Sequence, residues 1–175
     1  MVLEVGVVAF GDPLPDRGLV LDVFEDGEDA AIDLGQELLG KDGEIEAIRT
    51  RNNECNGNLI ELCRMVRAWK KTWTVPIGGL LIDTLAYQFI ERYEYRDKSY
   101  LYYDWMVRDF FKCIADTSET QEWWRAPGSG AYVWGKGLFQ YKARRCYNIA
   151  LSAISHQAAS ESWAAKRDWR EIFGT

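Results

Sequence analysis

Between residues 59 and 73 the apolar side chains Leu59, Leu62, Cys63, Val66, Trp69 and Trp73 recur by threes and fours, the period of one helix face. A second apolar run carrying Leu81, Leu85 and Phe89 comes after the break 75-VPIGG-79. Proline cannot continue a helix and paired glycines favour a turn, so the two runs are two helices joined by a bend. An amphipathic helix is held mainly by burying its stripe against another element. The stripe therefore demands a bundle. Further helices are expected over 44–52, over 100–115 (core Trp105, Phe110, Phe111 and Ile114), over 139–155 and over 161–172. The stretch 126-APGSG-130 makes a loop, 131–134 a short extended piece, and Asn58 is placed to cap the helix that bears the stripe.

The first 43 residues differ in kind. Residues 1–10 (MVLEVGVVAF) and 19–26 (LVLDVFED) suit strands, and the turn-forming 11-GDPLPDRG-18 between them makes a hairpin. Residues 27–43 are acidic and glycine-punctuated, with little regular structure beyond a short turn near 34–39. The net charge of −6 conceals an asymmetry: residues 1–43 hold eleven acids against Arg17 and Lys41, a balance of −9, which leaves +3 for residues 44–175. Period and charge change together near residue 43. The expected organisation is an acidic β element (1–43) and a helical unit (44–175). The fold class is mainly α, five or six packed helices with a small N-terminal β hairpin.

At 47% apolar and 14% aromatic, the chain of 175 residues can bury an ample core. No apolar run is long enough to span a bilayer and no basic-then-apolar leader opens the sequence, so a soluble protein is expected. Cys55, Cys63, Cys113 and Cys146 show no CxxC spacing, and His156 is remote from all four. That pattern suits neither a zinc site nor a disulfide framework, and points to the cytoplasm. Asp22, Asp26-Gly27 and Asp33 fall at calcium-loop positions, but Phe24 occupies one that needs an oxygen ligand; a solvated acidic turn fits better. The 127-PGSG-130 loop is neither a P-loop nor a nucleophile elbow. From the residues alone no catalytic centre and no metal site is visible.

The helix bearing the stripe also carries Arg64, Arg67, Lys70 and Lys71. With the stripe inward, Arg64, Arg67 and Lys71 share one flank at three- and four-residue spacing. Such a flank attracts phosphate, bidentately where arginine is used. An ordinary solvated helix face accounts for the same residues, and spacing does not choose between the two.

From residue 44 onward the text resembles the helical half of the bacterial cGAS/DncV-like nucleotidyltransferases, antiviral (CBASS) enzymes that make cyclic oligonucleotides and are related to oligoadenylate synthases. The segments that carry the resemblance are 44-EIEAIR-49, 56-NGNLIELCRMVRAWKKTWTVPIGGLLIDTLAYQFIE-91, 100-YLYYDWMVRDFF-111, 139-FQYKARRCYNIAL-151 and 163-WAAKRDWREIFG-174. In that family a preceding core supplies a Gly-Ser loop and an Asp-x-Asp pair that bind two magnesium ions, with a third acid from a later strand. A cation on an "RxxKxW" helix reaches the nucleotide phosphates. The resemblance implies Arg67 for that cation, with Arg64 opening the motif and Lys70 and Lys71 beside it. It implies Gly79 where the family often has a polar residue, and Glu4 or Asp22 as the possible third acid. No Gly-Ser loop with a subsequent Asp-x-Asp precedes residue 44, so no magnesium ligand set is evident in this chain. The function implied by the resemblance is the nucleotide-binding portion of a cyclic-oligonucleotide synthase, inactive alone, with ATP or GTP as ligand. The absent core, or a second copy of the chain, would be its partner. The alternative is a non-catalytic nucleotide- or partner-binding regulatory module.

Overall fold

The computed structural model describes residues 42–174, so the expected N-terminal hairpin, Glu4 and Asp22 lie outside the described residues. Within them are six α-helices and one short β hairpin. The helices are α1 (Asp42–Glu54), α2 (Asn58–Thr72), α3 (Gly79–Arg92), α4 (Tyr103–Ala115), α5 (Gln140–Ala158) and α6 (Ser162–Phe173). A 3-10 turn at Tyr100–Tyr102 leads into α4. No helix among the described residues is long and apolar enough to cross a membrane.

The stripe of α2 behaves as its period dictates. Leu59, Leu62, Cys63, Met65, Val66 and Trp69 are all buried. Trp69 is the largest of the fully buried side chains, and its indole N–H donates to the Cys146 sulfur of α5 at 3.2 Å. Helix α2 packs against α3, α4 and α6, and α5 packs extensively against both α4 and α6. The buried face of α5 is built from Ala143, Cys146, Ala150 and Ala153, whose small side chains allow its neighbours to approach closely. Rings fill the α3–α4 connection, with Phe89–Tyr93 at 5.0 Å, Tyr95–Tyr102 at 5.4 Å and Tyr95–Trp105 at 5.8 Å between centroids.

The expected cap at Asn58 is not the one made. Gly57, at φ 83°, is the N-cap, and Asn58 lies inside the helix with its side-chain amide donating to the carbonyls of Arg96 and Lys98 at 2.9 and 2.7 Å. The capping oxygen comes from α1 instead, where Asn52 Oδ1 accepts from the Ile60 N–H at 3.0 Å. An Asn at a helix start serves equally well as a tether when a loop carbonyl is in reach, and here the 96–98 loop is.

The described hairpin lies at β1 (Trp123–Arg125) and β2 (Tyr132–Trp134), paired antiparallel with Trp123 opposite Trp134 and Trp124 opposite Val133. Its tip rests on the start of α1. Ser129 Oγ donates to the buried Glu44 carboxylate at 2.5 Å. Gly128, at φ +73°, packs so closely on the Gly43 carbonyl that a Cβ there would collide with it.

Candidate functional site

The bend between α2 and α3 holds one of three non-glycine residues with left-handed backbone among the described residues. At the end of α2, Val75 N–H donates to the Lys70 carbonyl at 3.0 Å and Thr74 N–H to the Lys71 carbonyl at 3.4 Å. This is the double bond pattern of a Schellman cap, completed by the buried Val75. The left-handed residue in such a cap is usually glycine. Here it is Thr74 at φ 47°, a β-branched side chain in a conformation that costs roughly 1–2 kcal/mol.

Cations gather around this strained turn. Lys142 Nζ donates to the Trp73 and Thr74 carbonyls at 2.6 and 2.9 Å. The Arg145 guanidinium lies 5.4 Å from the centre of the Trp73 ring. Lys136 runs across Gly78, its Cε 3.5 Å from the point where a Gly78 Cβ would stand. Gly137 packs on the Pro76 ring so closely that a side chain there would press on it. Lys70, half-buried, and Lys71, exposed, stand in the last turn of α2 just before the bend, and neither makes an ion pair with another described residue. Immediately beyond the bend α3 begins at Gly79, and its first amide to bond within the helix is that of Ile82, to Gly78 O at 3.0 Å. The amides before it form the positive end of a helix of 14 residues, which favours an anion. Glu171, exposed at the end of α6, is the nearby acid, and its backbone carbonyl accepts from the Trp73 indole at 3.0 Å.

Of Arg64, Arg67 and Lys71, the cations expected to share one flank, the fold engages two in ion pairs. Arg64 is exposed and pairs with Glu61 at 2.5 Å, a contact within α2. Arg67 turns into the seam between α2 and α3, where its guanidinium meets the Asp83 carboxylate at 2.9 Å. The side chains retain only 10% and 2% of their exposure. The reason is helical geometry: Arg67 stands one turn after the buried Cys63 and shares its edge of the stripe. Asp83 interrupts the apolar run 81-LIDTLA-86, and a carboxylate on the buried face of a helix requires a partner. That lone acid was the available signal for the pair. The Cys63 thiol beside it is pushed well above its ordinary range, first by burial and then by the Asp83 charge.

Sequence reasoning missed Lys136, Lys142 and Arg145, which reach the bend from more than 55 residues away in the chain. Only α5 packing against the rest of the bundle brings the last two there. Among the described residues no group of three or more His, Cys, Asp or Glu side chains could hold a metal, and Asp83 is committed to Arg67. A separate cleft of about 690 Å³ opens at the far end of α3, with Arg92, Glu94, Asp116 and Trp124 in its wall. Its mixed charges select no ligand class.

No protein-family model, curated protein or solved structure matches the chain.

Proposed function

We propose that residues 42–174 form the helical, nucleotide-binding portion of a cyclic-oligonucleotide synthase of anti-phage signalling, acting in the cytoplasm and inactive without a catalytic core. The observation that carries the reading is Lys136 lying across Gly78 at the amino end of α3, beside a strained bend entered from the last turn of α2, which bears Lys70 and Lys71. Strain of this kind persists where the surroundings over-determine it, and it clusters at ligand sites. Support also comes from the way the separated segments of the resemblance meet. The C-terminal 172-IFG-174 closes on α2, with Thr72 Oγ1 donating to the Phe173 carbonyl at 2.8 Å. Lys70, Lys71 and Lys136, with Arg64 at the margin, meet the triphosphate of ATP or GTP. Arg67 holds α3 in place through Asp83 and does not itself contact phosphate.

The alternative, a non-catalytic regulatory module, uses the same bend and differs only in never joining a core. Calorimetric titration with ATP tests the shared claim. Lys70→Ala/Lys71→Ala and Lys136→Ala should each weaken binding by about five- to tenfold at low salt, since tenfold is only about 1.4 kcal/mol. The deficit should shrink as salt screens the lysines. Arg92→Ala, at the opposite end of α3, should bind as wild type does. Equal affinities across all four proteins would refute the site.

A further inference from the structure

The two strands of the hairpin differ in what lies along their outer edges. Gly135 N–H donates to the Glu122 carbonyl at 2.8 Å and Ala126 N–H to the Ala131 carbonyl at 2.9 Å, on either side of the pair Trp124–Val133. Bonded and unbonded pairs alternate along an antiparallel ladder, so the backbone groups of Trp123, Arg125, Tyr132 and Trp134 point away from the hairpin. On β1 the outward carbonyls are capped: Gln88 Nε2 donates to that of Arg125 at 3.3 Å and Gln121 Nε2 to that of Trp123 at 3.2 Å. On β2 no described residue bonds to the outward N–H or C=O of Tyr132 or Trp134. An unpaired edge is a template for another strand, and natural proteins blunt such edges with charge or proline. The sequence Tyr132-Val133-Trp134 carries neither.

This edge is complementary to itself. Set against a second copy about a twofold axis at Val133, Tyr132 of each copy faces Trp134 of the other, and the outward N–H and C=O of both residues are all used. The outward side chains then fall into two rows, each running Trp123, Trp134, Tyr132, Arg125 across the sheet, with an aromatic pair at the junction. The Tyr132 ring is already held for this. It meets Trp123 edge to face at 4.8 Å, the Arg125 guanidinium sits 4.2 Å from its centre, and Arg125 donates to its hydroxyl at 2.9 Å. Arg125 is the charged residue of the two strands, and the two arginines stand at opposite corners of the sheet, so like charges do not face each other. Tyr132, Trp134, Leu138 and Tyr141 are exposed to 53%, 59%, 61% and 74%. At about 150–250 Å² for a large side chain, they offer roughly 500 Å² per copy and about 1,000 Å² for a pair, the size of a reversible association.

We propose that two copies of the chain associate through β2, pairing Tyr132–Trp134 antiparallel across a twofold axis at Val133 into one four-stranded sheet. Because Gln88 and Gln121 cap the outer edge of β1, the sheet ends there and the assembly is a closed dimer. The inference does not rest on the nucleotide reading.

Sedimentation velocity of the full chain, from micromolar to near-millimolar protein, should show a monomer–dimer equilibrium that shifts with concentration. Two variants read the register. Tyr132→Lys/Trp134→Lys sets lysine against lysine at both facing positions, whereas Tyr132→Glu/Trp134→Lys sets glutamate against lysine at both and loses the same two rings. The first should dimerise about tenfold or more weakly than the second at low salt, and added salt should narrow the gap. Circular dichroism should show both folded as the wild type is. Association by general apolar contact would weaken the two variants alike, and that result would overturn the proposal. So would a wild-type chain that stays monomeric throughout, or a dimer that Tyr132→Lys/Trp134→Lys leaves intact. Amide exchange in the wild-type chain, followed by nuclear magnetic resonance, needs no variant. The Tyr132 and Trp134 N–H groups should exchange more slowly as concentration rises; rates that hold constant while dimer accumulates would sink the pairing.

Discussion

Replacing Arg67 by alanine should unfold this protein more readily while leaving the cations at the bend in place. The wild-type pair brings a guanidinium and a carboxylate to 2.9 Å in a seam where Asp83 is only 2% exposed. Removing the arginine leaves that carboxylate desolvated and without its counter-charge. For a buried pair the cost of deleting one partner is about 3–5 kcal/mol, and the 10% exposure of Arg67 puts this case toward the lower end. Against a total stability of about 5–15 kcal/mol for an ordinary domain, that is a large fraction. Removing both charges is a different perturbation. Arg67→Met/Asp83→Leu keeps much of the volume, strands no ion, and should recover most of the loss, because well-packed apolar replacements of buried pairs are often neutral. Urea denaturation monitored by far-ultraviolet circular dichroism measures both, with an unchanged slope confirming that the same surface is exposed on unfolding. A loss under about 1 kcal/mol for Arg67→Ala would refute the reasoning. So would a double variant less stable than the single one, since then the ion pair itself would be the stabilising element.

Two further predictions concern other parts of the bundle. Thr74→Gly relieves the left-handed strain at the α2 cap but gives the unfolded chain more freedom; the net gain should be about 0.5–1 kcal/mol, read as a raised urea midpoint. Burial works against the charge of Asp168, yet hydrogen bonds from Arg167, Ser152 and His156 outweigh it and hold this carboxyl below its ordinary range. Its charged form therefore contributes stability that is present above the usual carboxylate range and is lost as pH falls through the lowered value. Asp168→Asn should be less stable than wild type near neutral pH, with the gap closing in strong acid. A gap constant across that range would show that the charge is irrelevant.

The helices were legible because period alone places a stripe, and 100–115, 139–155 and 161–172 fall close to α4, α5 and α6. Strand β1 was not, since three residues are too few for alternation to show, and Trp123-Trp124-Arg125 carries no turn signal of its own. The candidate site was half legible. Lys70 and Lys71 can be placed from the α2 wheel, but the fate of Arg67 depended on Asp83, 16 residues away on another helix. Lys136, Lys142 and Arg145 required knowing that the start of α5 lies beside the end of α2. Local pattern reports which face is buried; it does not report which distant side chain meets it.

The clasp between α2 and the final turn of α6 also bears on the order in which the protein can be made. Thr72 and Trp73 are bonded to residues 101 and 98 positions later, and Gly174, in the left-handed conformation, lies so close to Thr72 that a side chain there would collide with it. During synthesis α2 emerges long before the residues that fasten its end, so it must wait with its tryptophans unsheltered. Nearly the whole helical unit has to be translated before its first long helix is secured. That delay makes the nascent chain, more than the finished one, the form most exposed to aggregation and to chaperones.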